Sequence, residues 1–149
     1  MDEIEKKVIA QHQKAMGYLL VKAQGLFHAH MVKALDGTSL NMGQVVVLAS
    51  LYAQNDLTQV QLAQISGIEK SSIVLFLDAL EADGWLERRR HPSDRRAHLV
   101  HLTEAGRMRF IPVGQALYAA QTQALAIFEP SETQALESLL LRLIGHLGG

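Results

Sequence analysis

The sequence predicts a mainly α-helical chain with one small β-hairpin, and three observations predict it. Apolar residues recur at helical spacing through most of the 149 residues. Capping residues and breakers punctuate that pattern at intervals suited to helices. The periodicity changes to alternation once, in WLERRR and AHLVHLT, on either side of the proline-bearing HPSDR.

From about Glu5 to Leu35 breakers are few, and the spacing predicts one long helix in which Gly17 and Gly25 are interior costs. DGTSLN is a turn cluster. Asn41, with Gln44 three residues on, offers a cap to a helix through GQVVVLASLY. After QND, Thr58 and Gln61 form a capping box for TQVQLAQIS, which Gly67 ends. KSSIVLFLDALEAD makes the next helix, stopped by Gly84. Beyond the hairpin, Thr103 and Glu104 open a helix that Pro112 is expected to kink or divide. Ser131 and Gln134 predict a capping box for a last helix whose apolar face lies in SLLLRLIGHL.

The length suits one domain, and residues 1–149 are read as one. No apolar run approaches the ~20 residues that span a bilayer. The opening MDEIEKKVIAQHQK lacks the apolar stretch of a signal peptide. A cytoplasmic location is therefore expected, with no membrane partner. The absence of cysteine excludes disulfides, a thiol nucleophile and cysteine-ligated metal.

Net charge is −1, but its distribution is uneven. Seven of the eight arginines lie between 88 and 109; set against Asp94 and Glu104 they give that window +5, leaving −6 elsewhere. Arginine makes planar, bidentate contacts with phosphate and guanine. Such a cluster on an otherwise acidic chain suggests an element facing nucleic acid, although a solvated hairpin has the same composition.

Two short helices joined by a tight turn, then a two-stranded hairpin, describe a winged helix-turn-helix. In that arrangement the second helix enters the major groove and the hairpin, or wing, reaches phosphates or the minor groove. On a helical wheel Ile73, Phe76, Leu77 and Leu80 form the buried stripe of the second helix. Ser71, Leu75, Asp78 and Ala82 lie opposite, with Val74 on the flank. Lys70, Ser71 and Ser72 are placed to meet phosphates or base edges, and Val74 and Leu75 to pack on thymine methyls. Thr58 and Gln59, at the start of the preceding helix, complete the expected DNA-contacting set on that lobe. The helix carries one lysine against three acids from Lys70 to Asp83, however. A helix that reads bases poorly, or that contacts a protein instead, stays open as the alternative.

LTQVQLA at 57–63, LDALEADGWLERR at 77–89, DRRAHLVHLT at 94–103 and GYLLVKAQ at 17–24 together resemble the MarR family of bacterial transcriptional regulators, nearly end to end. The resemblance implies a winged helix-turn-helix lobe over about 41–103. It also implies dimerisation helices over about 5–35 and 104–147. It implies a homodimer on a pseudo-palindromic duplex, acting as a repressor relieved by a small aromatic or anionic effector. By motif, Arg96 matches the wing-tip arginine of the minor groove and Asp94 the carboxylate that braces the wing. Arg88, Arg90 and Arg95 would then contact phosphates, which position without specifying. His12, Tyr18, His28 and Tyr118 are the polar or aromatic candidates for an effector site. Where the family often has a hydroxyl residue and an arginine, this chain has Val74 and Leu75.

Other chemistry finds little support. His28 and His30 stand about 200° apart on a helix, and His98 and His101 fall on opposite faces of a strand, so no metal site is expected. No phosphate-binding glycine loop, nucleophile elbow or paired carboxylates suggest an enzyme, and no cofactor is expected.

Overall fold

The structure is a computed structural model that describes residues 2–94 and 97–148. The expected helices and hairpin are present, with four differences of detail. The chain forms two units, Val32–Leu117 and a second made of Met1–Met31 and Tyr118–Gly149.

In the first unit, α3 (Met42–Ala53) begins at Asn41, whose side chain accepts from the Gln44 amide while Gln44 Oε1 accepts from the Asn41 amide, each at 2.9 Å. Reciprocal capping of this kind satisfies two otherwise orphaned amides and is worth about 1 kcal/mol. The helix α4 (Gln59–Ser66) repeats the device with Thr58 and Gln61. Gly67 ends it at φ 68°, a left-handed turn that a side chain would resist. Then α5 (Lys70–Ala82) runs to Gly84, at φ 73°, where the chain turns into the sheet.

The sheet has three strands, one more than the sequence predicts. β2 (Leu86–Arg90) and β3 (His98–Leu102) form the wing hairpin, pairing Leu86 with Leu102 and Arg90 with His98. The short β1 (Leu57–Thr58) pairs with β3 through Val100 and Leu99, giving the order β1–β3–β2. Two residues leave no alternating pattern to detect. Asn55 extends this edge: its side chain donates to the Leu102 carbonyl and accepts from the Leu102 amide.

Side chains from α3, α4, α5 and all three strands close one core. Leu48, Leu51, Leu57, Leu62, Ile73, Leu77, Leu80, Leu86, Val100 and Leu102 are almost wholly removed from water. Phe110 and Val113 belong to the same core. Each such side chain contributes roughly 1.5–3 kcal/mol of hydrophobic stabilisation. The core therefore fixes which face of α5 points outward.

The second unit begins with α1 (Glu3–Lys14) and α2 (Met16–Lys33), not with one long helix. Ala15 is extended, and its carbonyl accepts from the Leu19 amide to start α2. Gly17, expected as an interior cost, sits in the first turn of the new helix, close to the break. In α6 (Glu104–Leu125) Pro112 does not divide the helix. It is exposed, so water can reach the carbonyl one turn back that loses its amide partner. α7 (Pro130–Leu147) starts from Glu129, whose amide donates to Glu132 at 2.9 Å, and not from Ser131 with Gln134. Proline is well suited to the first helical position, which moves the cap one residue before it. His30 Nε2 lies 3.0 Å from the Ala120 carbonyl and ties α2 to α6. Among the described residues no helix is long and apolar enough to cross a membrane.

Candidate nucleic-acid interface

The helix α5 divides cleanly by face. Ile73, Leu77 and Leu80 are at most 1% exposed, with Phe76 packed at the core edge. Val74 is 41% and Leu75 69% exposed. Ser71 and Asp78 are exposed on that outward side, and Lys70 stands exposed in the first turn. Glu69, the residue before the helix, makes no side-chain cap. The first-turn amides of α5 thus have no acceptor from their own cap, which suits an anion at that end.

Thr58 and Gln59 are half-buried at the start of α4. The Thr58 hydroxyl accepts from the Gln61 amide at 3.2 Å and donates to Gln61 Oε1 at 3.0 Å, so its first duty is to cap.

The wing grows from the sheet beside α5. Just beyond β2, His91 Nδ1 accepts from the amides of Ser93 and Asp94, at 3.3 and 3.1 Å, which closes the HPSD turn. Arg90 is exposed at the end of β2. Arg89 is exposed too and pairs with Glu87 on the same strand. Arg95 and Arg96, the expected phosphate and minor-groove arginines, lie outside the described residues.

Arg88 is placed differently from its neighbours. Its amide donates to Glu81 Oε1 at 2.8 Å, its Nη2 to Asp78 Oδ1 at 2.5 Å, and its Nη1 to Glu81 Oε2. Its side chain is 20% exposed. The guanidinium read as a phosphate contact is therefore engaged within the lobe, joining wing to helix. Burial alone would lower its pKa, but hydrogen bonds and charge from Asp78 and Glu81 outweigh that and raise it. The carboxylates, which the sequence shows only as two of the helix's three acids, are its partners. Their spacing of three on one helix, followed by an arginine just past the turn, was the signal available.

Two further contacts were missed by the sequence reading. His101 Nδ1 lies 2.8 Å from Asp56 Oδ1, tying β3 to the loop before β1. Arg109 stacks 3.9 Å from the Trp85 ring centroid and donates to the Asp83 carbonyl at the end of α5. Among the described residues no group of three or more His, Asp or Glu side chains is arranged to hold a metal.

Of the effector candidates, His12 and Tyr18 meet across the α1–α2 break with ring centroids 5.4 Å apart. Lys22 Nζ lies 3.4 Å from the Tyr18 hydroxyl. His28 is exposed on α2, and Tyr118 is 73% exposed on α6.

The model of the MarR family matches residues 40–98. Those residues form a MarR-family winged helix. The match takes in α3, the helix pair α4–α5 and the wing as far as the start of β3. A curated relative that this chain resembles is an uncharacterized HTH-type transcriptional regulator, YdgJ, of Bacillus subtilis (strain 168). It is 27% identical over 140 residues, covering 94% of this chain and 85% of the relative. A probable transcriptional regulator from Pseudomonas aeruginosa is similar in structure, with TM-score 0.80, 28% identity and coverage of 89% of this chain and 98% of that one. The transcriptional repressor CouR bound to a 23-mer DNA duplex has TM-score 0.84 and 28% identity, covering 89% and 94% of the two chains. CouR from Rhodococcus jostii RHA1 has also been solved with p-coumaroyl-CoA, with TM-score 0.79, 27% identity and coverage of 88% and 92%.

Proposed function

We propose that this protein is a homodimeric transcriptional regulator that binds a pseudo-palindromic DNA duplex, acts in the cytoplasm as a repressor, and is released by a small-molecule effector. One observation carries the DNA-binding reading: the core holds α5 so that Ser71, Val74 and Leu75 face outward while the wing is locked at its side. The likeness to CouR on DNA supports it. Val74 and Leu75 then read thymine methyls, and Lys70, Ser71 and Ser72 meet backbone or base edges at the uncapped helix start. Gln59 and Thr58 approach the backbone. Arg90 and Arg95 grip phosphates, Arg96 enters the minor groove, and Asp94 braces the wing.

Dimerisation is supported by α7, which buries none of its described residues yet exposes Leu136, Leu139, Leu140, Leu143, Ile144 and Leu147. A monomer would leave that apolar face in water. A two-fold dimer presents two α5 helices to half-sites about one helical turn apart. The effector reading draws on CouR with p-coumaroyl-CoA and on the His12, Tyr18 and Lys22 cluster, whose rings and cation suit an aromatic or anionic compound. The reading is of a binding protein and not an enzyme.

The test is selection from a random duplex library across a salt series. An enriched inverted repeat with a steep salt slope supports the reading. A steep slope without enrichment means that the wing grips backbone while α5 reads nothing. No binding at low salt moves the function to a protein partner.

A further inference from the structure

We propose that Arg88 is a positioning residue that offsets the charge of Asp78 and Glu81 and so lets the acidic α5 close on a phosphate-lined groove. The inference rests on the DNA-binding reading. Ser71, Leu75 and Asp78 follow one another at spacings of four and three, so they share one stripe of the helix. Asp78 is 59% exposed at the far end of that stripe. Between Lys70 and Ala82 the helix carries one lysine, Asp78 and Glu81, a net charge of −1. An uncompensated carboxylate there would meet the negative field of the duplex backbone.

Arg88 removes that obstacle without itself leaving the lobe. It takes one oxygen of Asp78 and, through side chain and backbone, both oxygens of Glu81. It also pairs in the sheet with Val100, a fully buried residue of the core, so its backbone is anchored. Three charges from helix and wing are thereby held at a sum of −1, and with Lys70 the four side chains sum to zero. Because the guanidinium is mostly withdrawn from solvent, salt screens this arrangement less than it screens the exposed wing arginines.

Charge cancellation and mechanical bracing make opposite predictions when the acids are removed. Binding of a random-sequence duplex is measured across a salt series for four variants: Arg88→Met, Arg88→Lys, Asp78→Asn with Glu81→Gln, and all three sites changed as R88M, D78N and E81Q. Arg88→Met is expected to weaken binding on the order of tenfold at low salt. The triple variant should recover most of that loss, Arg88→Lys should stay near the parent, and the double amide variant should bind more tightly than the parent. A triple variant no better than Arg88→Met, or a double variant weaker than the parent, overturns the proposal in favour of bracing alone. Should Arg88→Met fail to fold, the double variant decides by the same sign. If the parent protein binds no duplex, the DNA-binding reading falls and this inference falls with it. If the parent binds and Arg88→Met binds equally well, only the inference falls.

Discussion

A Cβ atom on Gly106 would stand 1.9 Å from the carbonyl oxygen of Trp85. The first turn of α6 is thus seated on the residue from which the wing departs. Thr103 secures the same junction: its hydroxyl lies 3.0 and 3.1 Å from the Gly84 and Trp85 carbonyls and accepts from the Gly106 amide at 2.9 Å. The neighbour is backbone and cannot rotate aside. Gly106→Ala is therefore expected to destabilise by about 3 kcal/mol through overpacking. Urea unfolding measures this, and an unchanged midpoint would show that the junction yields.

Thr58→Ala removes the hydroxyl half of the box that starts α4 and leaves the residue's own amide bonded to Gln61, at an expected cost of about 1 kcal/mol. Thr58→Ser keeps the hydroxyl and should cost far less. Thermal unfolding of the pair separates capping from any loss of the methyl group. Equal losses would put the methyl group first.

Leu75 and Leu77 sit two residues apart on α5 and face opposite environments, 69% against 0% exposed. Leu77→Ala is expected to cost roughly 2–5 kcal/mol. Leu75→Arg should leave stability almost unchanged, raise non-specific DNA affinity and alter base preference at one major-groove position. If sequences selected by Leu75→Arg match those of the parent, Leu75 does not read bases.

For the wing, Arg90→Ala is expected to weaken binding evenly across sequences and to reduce the salt slope by about 1. Arg96→Ala should also reduce A·T preference beside each half-site, because a narrow A·T-rich minor groove concentrates negative potential. Selection profiles that coincide for these two variants would remove the distinction between phosphate and groove arginines.

Leu140→Glu with Leu143→Glu places two charges on the apolar face of α7. Sedimentation should show a dimer for the parent and a monomer for the variant, because burying unpaired carboxylates costs more than the interface returns. A dimeric variant would place the interface elsewhere.

Local chemistry was the most legible part of the sequence. The boxes at Asn41 and Thr58 depend on residues three apart, and the stripe Ile73, Phe76, Leu77 and Leu80 depends on helical spacing. The unread features depend on partners distant in the chain. Thr58 meets Leu99 in a strand pair too short to carry a pattern. Arg88 was read by its charge alone, and its partners became visible only when the turn at Gly84 brought β2 back along α5. The break at Ala15 is different: alanine favours helix, and only its backbone reveals the extended residue between α1 and α2.

The strand order has a consequence for how such a lobe can change over generations. β3 is shared, paired on one side with the segment that launches α4 and on the other with β2. Frame and wing therefore keep a common register, set by Leu86 with Leu102 and held as far as Arg90 with His98. Residues gained or lost between Arg90 and His98 alter only the reach of the arm, since lengthening a surface connection adds little entropy cost. The span of the grip is thus free to drift while the hand that reads the bases keeps its shape.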